Sequence, residues 1–144
     1  LSEKKRFEFE DHVADIIVVA YGDSLEEAFE NAALALFEVM TDTSTVEPKK
    51  EDVFEVEGFD ELSLLYSWIE SFIIAFDVDL KLYSTFKIEK IEKTRDGFKL
   101  RGKAWGETFN RTKHPSRSEV KAITYHEMEI FRKKGVQLRF ILDL

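Results

Sequence analysis

The sequence predicts an α+β fold, with two main helices packed on a largely antiparallel or mixed sheet in a two-layer domain. Three observations carry this. Two segments repeat apolar residues at the helical period, each behind an N-capping residue. Several shorter segments alternate or run apolar as strands do. The tetrapeptide Thr94-Arg95-Asp96-Gly97 sits between two such segments and marks a hairpin.

In chain order, Phe7 and Phe9 alternate with Glu8 and Glu10, the period of a half-buried strand. Residues 15–21 are apolar on both faces and read as a central strand. Gly22-Asp23 turns the chain into a helix over about 25–40, where Ser24 and Glu27 make a capping box. Leu25, Phe29, Ala32, Ala33, Leu36, Phe37 and Met40 form its apolar stripe. Residues 41–45 end it, 48–51 read as a polar connection, and 53–56 as a short strand.

Asp60 is the N-cap of a second helix reaching about residue 76, with a stripe broad enough to pack on two sides. The hairpin follows, from 86–93 into Phe98, Leu100, Gly102 and Ala104. A loop around His114-Pro115 leads to strands near 123–132 and 136–143. No linker or repeat interrupts the chain, so residues 1–144 read as one domain, long enough to bury a full core.

Composition narrows the function classes. The chain has no cysteine, which excludes thiolate metal sites and cysteine nucleophiles and fits a reducing cytoplasm. Its apolar runs are too short to span a bilayer, and residues 1–6 lack the apolar stretch of a signal peptide. The formal net charge is −8, and the one basic stretch, residues 111–117, carries no aromatic residue for base stacking. Direct nucleic-acid binding is therefore not expected; a cation or a basic protein partner is.

The site candidates begin with Asp11-His12-Val13-Ala14-Asp15, which runs into the apolar segment 16–20. Charge at a strand entrance is costly unless paired, hydrogen-bonded or bound to a cation. The two carboxylates either cap a bend or hold a hard cation such as Ca²⁺, Mg²⁺ or Mn²⁺. Asp143 ends an apolar strand, with the main-chain terminus at Leu144 beside it, and joins such a site if the strands meet. Lys121 and His126 are too weakly patterned to specify a reaction, and Glu107 reads as a surface or turn residue. Phosphate-cradling loops, nucleophile elbows and His-Glu-x-x-His are absent.

Taken in order, these pieces resemble the archease family. The matching segments are Asp11–Asp15, Gly22-Asp23-Ser24-Leu25-Glu26-Glu27-Ala28-Phe29, Met40-Thr41-Asp42, Gly106-Glu107, Lys113-His114-Pro115, Glu119 to Tyr125 and the closing Asp143-Leu144. Val13 departs from the usual Thr and removes a hydroxyl from the turn. The resemblance implies a cytoplasmic, non-enzymatic cofactor of an RtcB-type RNA-splicing ligase. Such a cofactor promotes formation of the ligase–guanylate intermediate and multiple turnover in tRNA splicing. It also implies a divalent metal, calcium first and magnesium or manganese as alternatives, held by Asp15, Asp143 and the terminus of Leu144. Asp11 and His12 then support the loop or touch the partner. Two alternatives stand beside it: a chaperone or modulator of a tRNA methyltransferase, and a metal-dependent phosphoester hydrolase using Asp11, His12, Asp15 and Asp143.

Overall fold

The computed structural model describes residues 4–12 and 14–144, with the side chains of Asp11 and His12 outside that description. The elements run β1 (Phe7–His12), β2 (Asp15–Gly22), α1 (Leu25–Met40), a 3-10 turn (Thr43–Thr45), β3 (Lys50–Gly58), α2 (Glu61–Asp79), β4 (Lys81–Lys93), β5 (Phe98–Thr108), β6 (Ala122–Phe131) and β7 (Val136–Asp143). The α+β expectation holds. The strands divide into two sheets, β1-β2-β7-β6 and β3-β5-β4, and every described pairing is antiparallel.

The helices join the two sheets into one core. α1 packs on β2 and β4, α2 on β3 and β6, and the helices touch each other. Phe29, Phe37, Trp68, Phe72, Tyr83 and Phe140 are fully buried at the centre. The Trp68 indole N–H donates to the Phe29 carbonyl at 2.9 Å, which fixes one helix against the other. Buried Asn31 of α1 donates to the Tyr21 carbonyl at 2.7 Å and accepts from Arg6 Nε at 3.1 Å, holding the helix to the first sheet. On the other side, Glu30 accepts the Ile88 N–H at 2.8 Å, at an irregularity of β4.

Both helix starts follow their caps. Ser24 Oγ accepts from Glu27 N at 3.1 Å, and the Glu27 carboxylate accepts from Asp23 N at 2.7 Å. Asp60 and Ser63 satisfy each other's backbone N–H groups at 2.7 and 3.1 Å. α2 runs past residue 76 to Asp79 and stops at Leu80, in a left-handed conformation (φ 54°). That stop has no glycine to announce it, so the start of β4 at Lys81 lies earlier than the hydrophobic pattern indicates.

β3 is likewise longer than expected because its charges are structural. Glu55 and Glu57 lie opposite Arg101 and Lys99, with ion pairs of 3.1 and 3.5 Å, while Phe54 and Val56 face the core. Among the described residues, no helix is long and apolar enough to cross a membrane.

Candidate metal centre

The paired register of β2 and β7 places Asp15 directly opposite Asp143. The next N–H along, that of Leu144, donates to the Ala14 carbonyl at 3.3 Å. Asp15 and Asp143 therefore form a pair without mutual backbone hydrogen bonds, the closer of the two antiparallel arrangements, with Cα atoms about 4.5 Å apart. Paired Cβ atoms at about 4.5–5.5 Å leave their carboxylates able to share one ion at ligand distances of about 2.3–2.6 Å.

Their face follows from strand alternation. Ile16, Val18 and Ala20 point into the main core, whereas Ile17, Val19 and Ile141 form a separate small cluster on the opposite face. Asp15 and Asp143 share the second face, at its end. Arg139 of β7 reaches across β2 to Glu10 of β1 at 3.2 Å, so its side chain crosses the face that carries this outer cluster. Both aspartates are half-buried, and Asp143 is held rather than frayed: its carbonyl accepts Lys121 N–H at 2.8 Å.

On the other side of Asp15 lies His12, its register partner on β1. The turn between them has Ala14 at φ 60°, a left-handed conformation that a residue with a Cβ adopts at a cost. Asp11 pairs with Ile16, and the roles read for the Asp11 and His12 side chains lie outside the described residues. Among the described residues no group of three His, Cys, Asp or Glu side chains converges. The Asp15–Asp143 pair supplies hard oxygen ligands suited to Ca²⁺, Mg²⁺ or Mn²⁺, and Leu144 offers a main-chain oxygen next to them.

Glu107 departs from its sequence reading. It lies on β5 with its side chain only 13% exposed, and its Oε2 accepts from Lys113 Nζ at 2.8 Å and from the Glu47 N–H at 2.8 Å. His114, fully buried, meets the same oxygen through Nε2 at 3.0 Å. Burial pushes the Glu107 carboxyl upward, but Lys113, the Glu47 N–H and His114 outweigh it and hold the group at about 2. Gly106 makes the position possible, since a Cβ there would lie 1.8 Å from the Leu82 carbonyl oxygen.

This network anchors the loop after β5. Arg117 N–H and Ser118 N–H then donate to Met40 and Val39 carbonyls, and the chain arrives at Lys121, bonded to Asp143. The sequence carried the signal in Gly106-Glu107 and Lys113-His114-Pro115, but spacing alone could not show that these segments meet. His126 is separate and exposed, 3.4 Å from Glu127.

Comparison with known proteins agrees with this architecture. The archease protein of Sulfolobus acidocaldarius is 54% identical over 140 residues, covering 96% of this chain and 99% of the relative. The solution structure of Methanobacterium thermoautotrophicum Protein 1598 superposes with a TM-score of 0.84 at 49% identity, covering 96% of this chain and 98% of that one. The crystal structure of an archease from Thermotoga maritima, described as a possible chaperone, has a TM-score of 0.57 at 18% identity, with 99% and 100% coverage, and shares the fold. Residues 7–144 match the sequence profile of the Archease protein family, and the chain belongs to that family.

Proposed function

We propose that this chain is a non-enzymatic activator of an RtcB-type RNA-splicing ligase, working in the cytoplasm to promote ligase guanylylation and multiple turnover in tRNA splicing. The observation that supports it is the register of Asp15 on Asp143. Like charges directly opposite on a sheet face are unfavourable, and a shared cation turns that repulsion into binding energy.

In this reading Asp15, Asp143 and a main-chain oxygen of Leu144 hold the ion at the end of the sheet, and the turn at Ala14 fixes the distance between strands. Asp11 and His12 support that turn or meet the ligase. When bound, the divalent ion supplies positive charge beside the phosphates on which the ligase acts. The net charge of −8 favours encounter with a basic nucleotide cleft.

The test is guanylylation and turnover of the ligase with wild type, Asp15→Ala and Asp143→Ala. Both variants are expected to lose multiple turnover, and unchanged turnover with either overturns the reading. A chaperone role, in line with the words "possible chaperone" used for the Thermotoga structure, instead predicts suppression of aggregation of unrelated clients with both aspartates dispensable.

A further inference from the structure

One side of α2 is turned to solvent and carries an apolar strip. Tyr66, Glu70, Ile74 and Val78 follow one another at i, i+4 steps, so they share that side of the helix. Ile74 is 52% exposed and Val78 72%, and exposed Leu80 continues the apolar surface past the helix end. At the other end of the strip, Tyr125 of β6 lies flat on Tyr66, with ring centroids 4.3 Å apart and planes 7° from parallel. Tyr125 is still 50% exposed, so the stacked pair presents an aromatic surface to solvent. Tyr125 closes the segment Glu119 to Tyr125, and the metal centre gives its ring no role.

Charge decides what this strip receives. α2 carries the acids Glu61, Glu70, Asp77 and Asp79 and no basic residue. Arg132 neutralises Glu61, but Glu70, Asp77 and Asp79 make no ion pair among the described residues. Asp77 and Asp79 stand in the last turn, where the helix dipole disfavours anions, so their charge does not serve the helix. Burial, the stacked Tyr66 and the carboxylates of Asp60 and Glu70 together push the Tyr125 phenol up, so negative charge flanks the rings as well. A second copy of this chain would set these acids against their own kind, and nucleic acids and anionic membranes are repelled in the same way. What fits is a cationic protein surface that also carries apolar side chains. Arginine suits the rings, because a guanidinium lies flat on an aromatic face and keeps its N–H donors for carboxylates beside it.

We propose that the outer face of α2, together with Tyr125, docks a basic amphipathic helix of a partner protein. An arginine of that helix stacks on Tyr125, two aliphatic side chains cover Ile74 and Val78, and flanking cations pair with Glu70, Asp77 and Asp79. The spacing sets the pattern of the partner. Tyr66 and Ile74 lie about 12 Å apart along the axis, and Ile74 and Val78 about 6 Å. An arginine and two aliphatic residues at i, i+7 and i+11 match those steps and share one helix face. The inference is independent of the metal reading, since neither Asp15 nor Asp143 takes part.

The test titrates a capped helical peptide of alanine and lysine, with one arginine and two leucines at i, i+7 and i+11, into the full chain. EDTA and about 0.15 M salt exclude metal and weak surface attraction, and amide chemical shifts report where the peptide sits. Saturable shifts are expected along residues 66–80 and at Tyr125. Lysine in place of the arginine should weaken binding about three-fold, and serine in place of both leucines about ten-fold. Tyr125→Leu should remove the preference for arginine, Tyr125→Phe should keep it, and Asp77→Asn should weaken the arginine and lysine peptides alike. Three results overturn the proposal: no saturable shifts, shifts centred on another acidic surface such as β3, or an arginine preference that is absent or survives Tyr125→Leu.

Discussion

The ring of His114 stands between two fixed partners: its Nδ1 accepts the Asn110 N–H at 2.9 Å and its Nε2 faces Glu107 Oε2 at 3.0 Å. A backbone N–H can only donate, so Nδ1 carries no proton and Nε2 donates to the carboxylate. The cations beside the Glu107 carboxylate are Lys113 at 2.8 Å and Lys49 at 3.6 Å.

A pH dependence follows. The folded carboxyl at about 2 lies below its unfolded value of about 4.3. A depressed acid adds stability above the unfolded value and loses it as pH falls through the folded one, here between about 4.3 and 2. The shift corresponds to about 3 kcal/mol at most. Urea denaturation at pH 7, 4 and 3 should show Glu107→Gln less stable than wild type at pH 7, with the gap closing toward pH 3. A gap that does not change with pH would assign the loss to packing.

How much of this was legible depends on whether the signal is local. α1 could be read to its ends because Ser24, Glu27 and the stripe through Met40 all lie within one element. The end of α2 could not, because Leu80 takes a left-handed conformation with nothing in its side chain to mark it. Asp15 and Asp143 were readable as candidates, but their register depends on which strands neighbour which. The basic residues Lys4, Lys5 and Arg6 share a cleft of about 620 Å³ with Lys133 and Lys134, a convergence that their sequence separation conceals. Likewise Glu47, Glu107 and Lys113 look like surface charges until the loop closes on them.

Gly106 is expected to be intolerant even of alanine. The added Cβ meets backbone, the Leu82 carbonyl and Tyr83 Cα, at 1.8 and 2.7 Å, so no side chain can move aside to make room. Relief must come from separating β4 from β5, at a cost of about 3 kcal/mol or more. Chemical denaturation should report that loss in Gly106→Ala, and hydrogen exchange should increase in the Glu107–His114 segment.

Arg139 tests whether charge or coverage protects the outer cluster. Its ion pair with Glu10 is partly exposed and is worth about 0–1 kcal/mol. Its side chain crosses the face that holds Ile17 and Val19, which are 5% and 2% exposed. Arg139→Met keeps the stem and should lose less stability than Arg139→Ala. Equal losses in thermal denaturation would instead place the effect in the ion pair.

Neutralising one member of the Asp15–Asp143 pair should separate repulsion from metal binding without the ligase. In EDTA the two opposed carboxylates repel, so Asp143→Asn, nearly identical in shape, is expected to be as stable as wild type or more so by up to about 1 kcal/mol. With Ca²⁺ the order should reverse. A ligand at a hundred times its dissociation constant stabilises the folded state by about 2.7 kcal/mol, and the variant has lost half of the paired carboxylates. Thermal denaturation in EDTA and in excess Ca²⁺, Mg²⁺ or Mn²⁺ reads both effects at once. A wild type that gains nothing from any of the three ions would leave the opposed aspartates without a cation. A variant that gains as much as wild type would move the ion to other ligands.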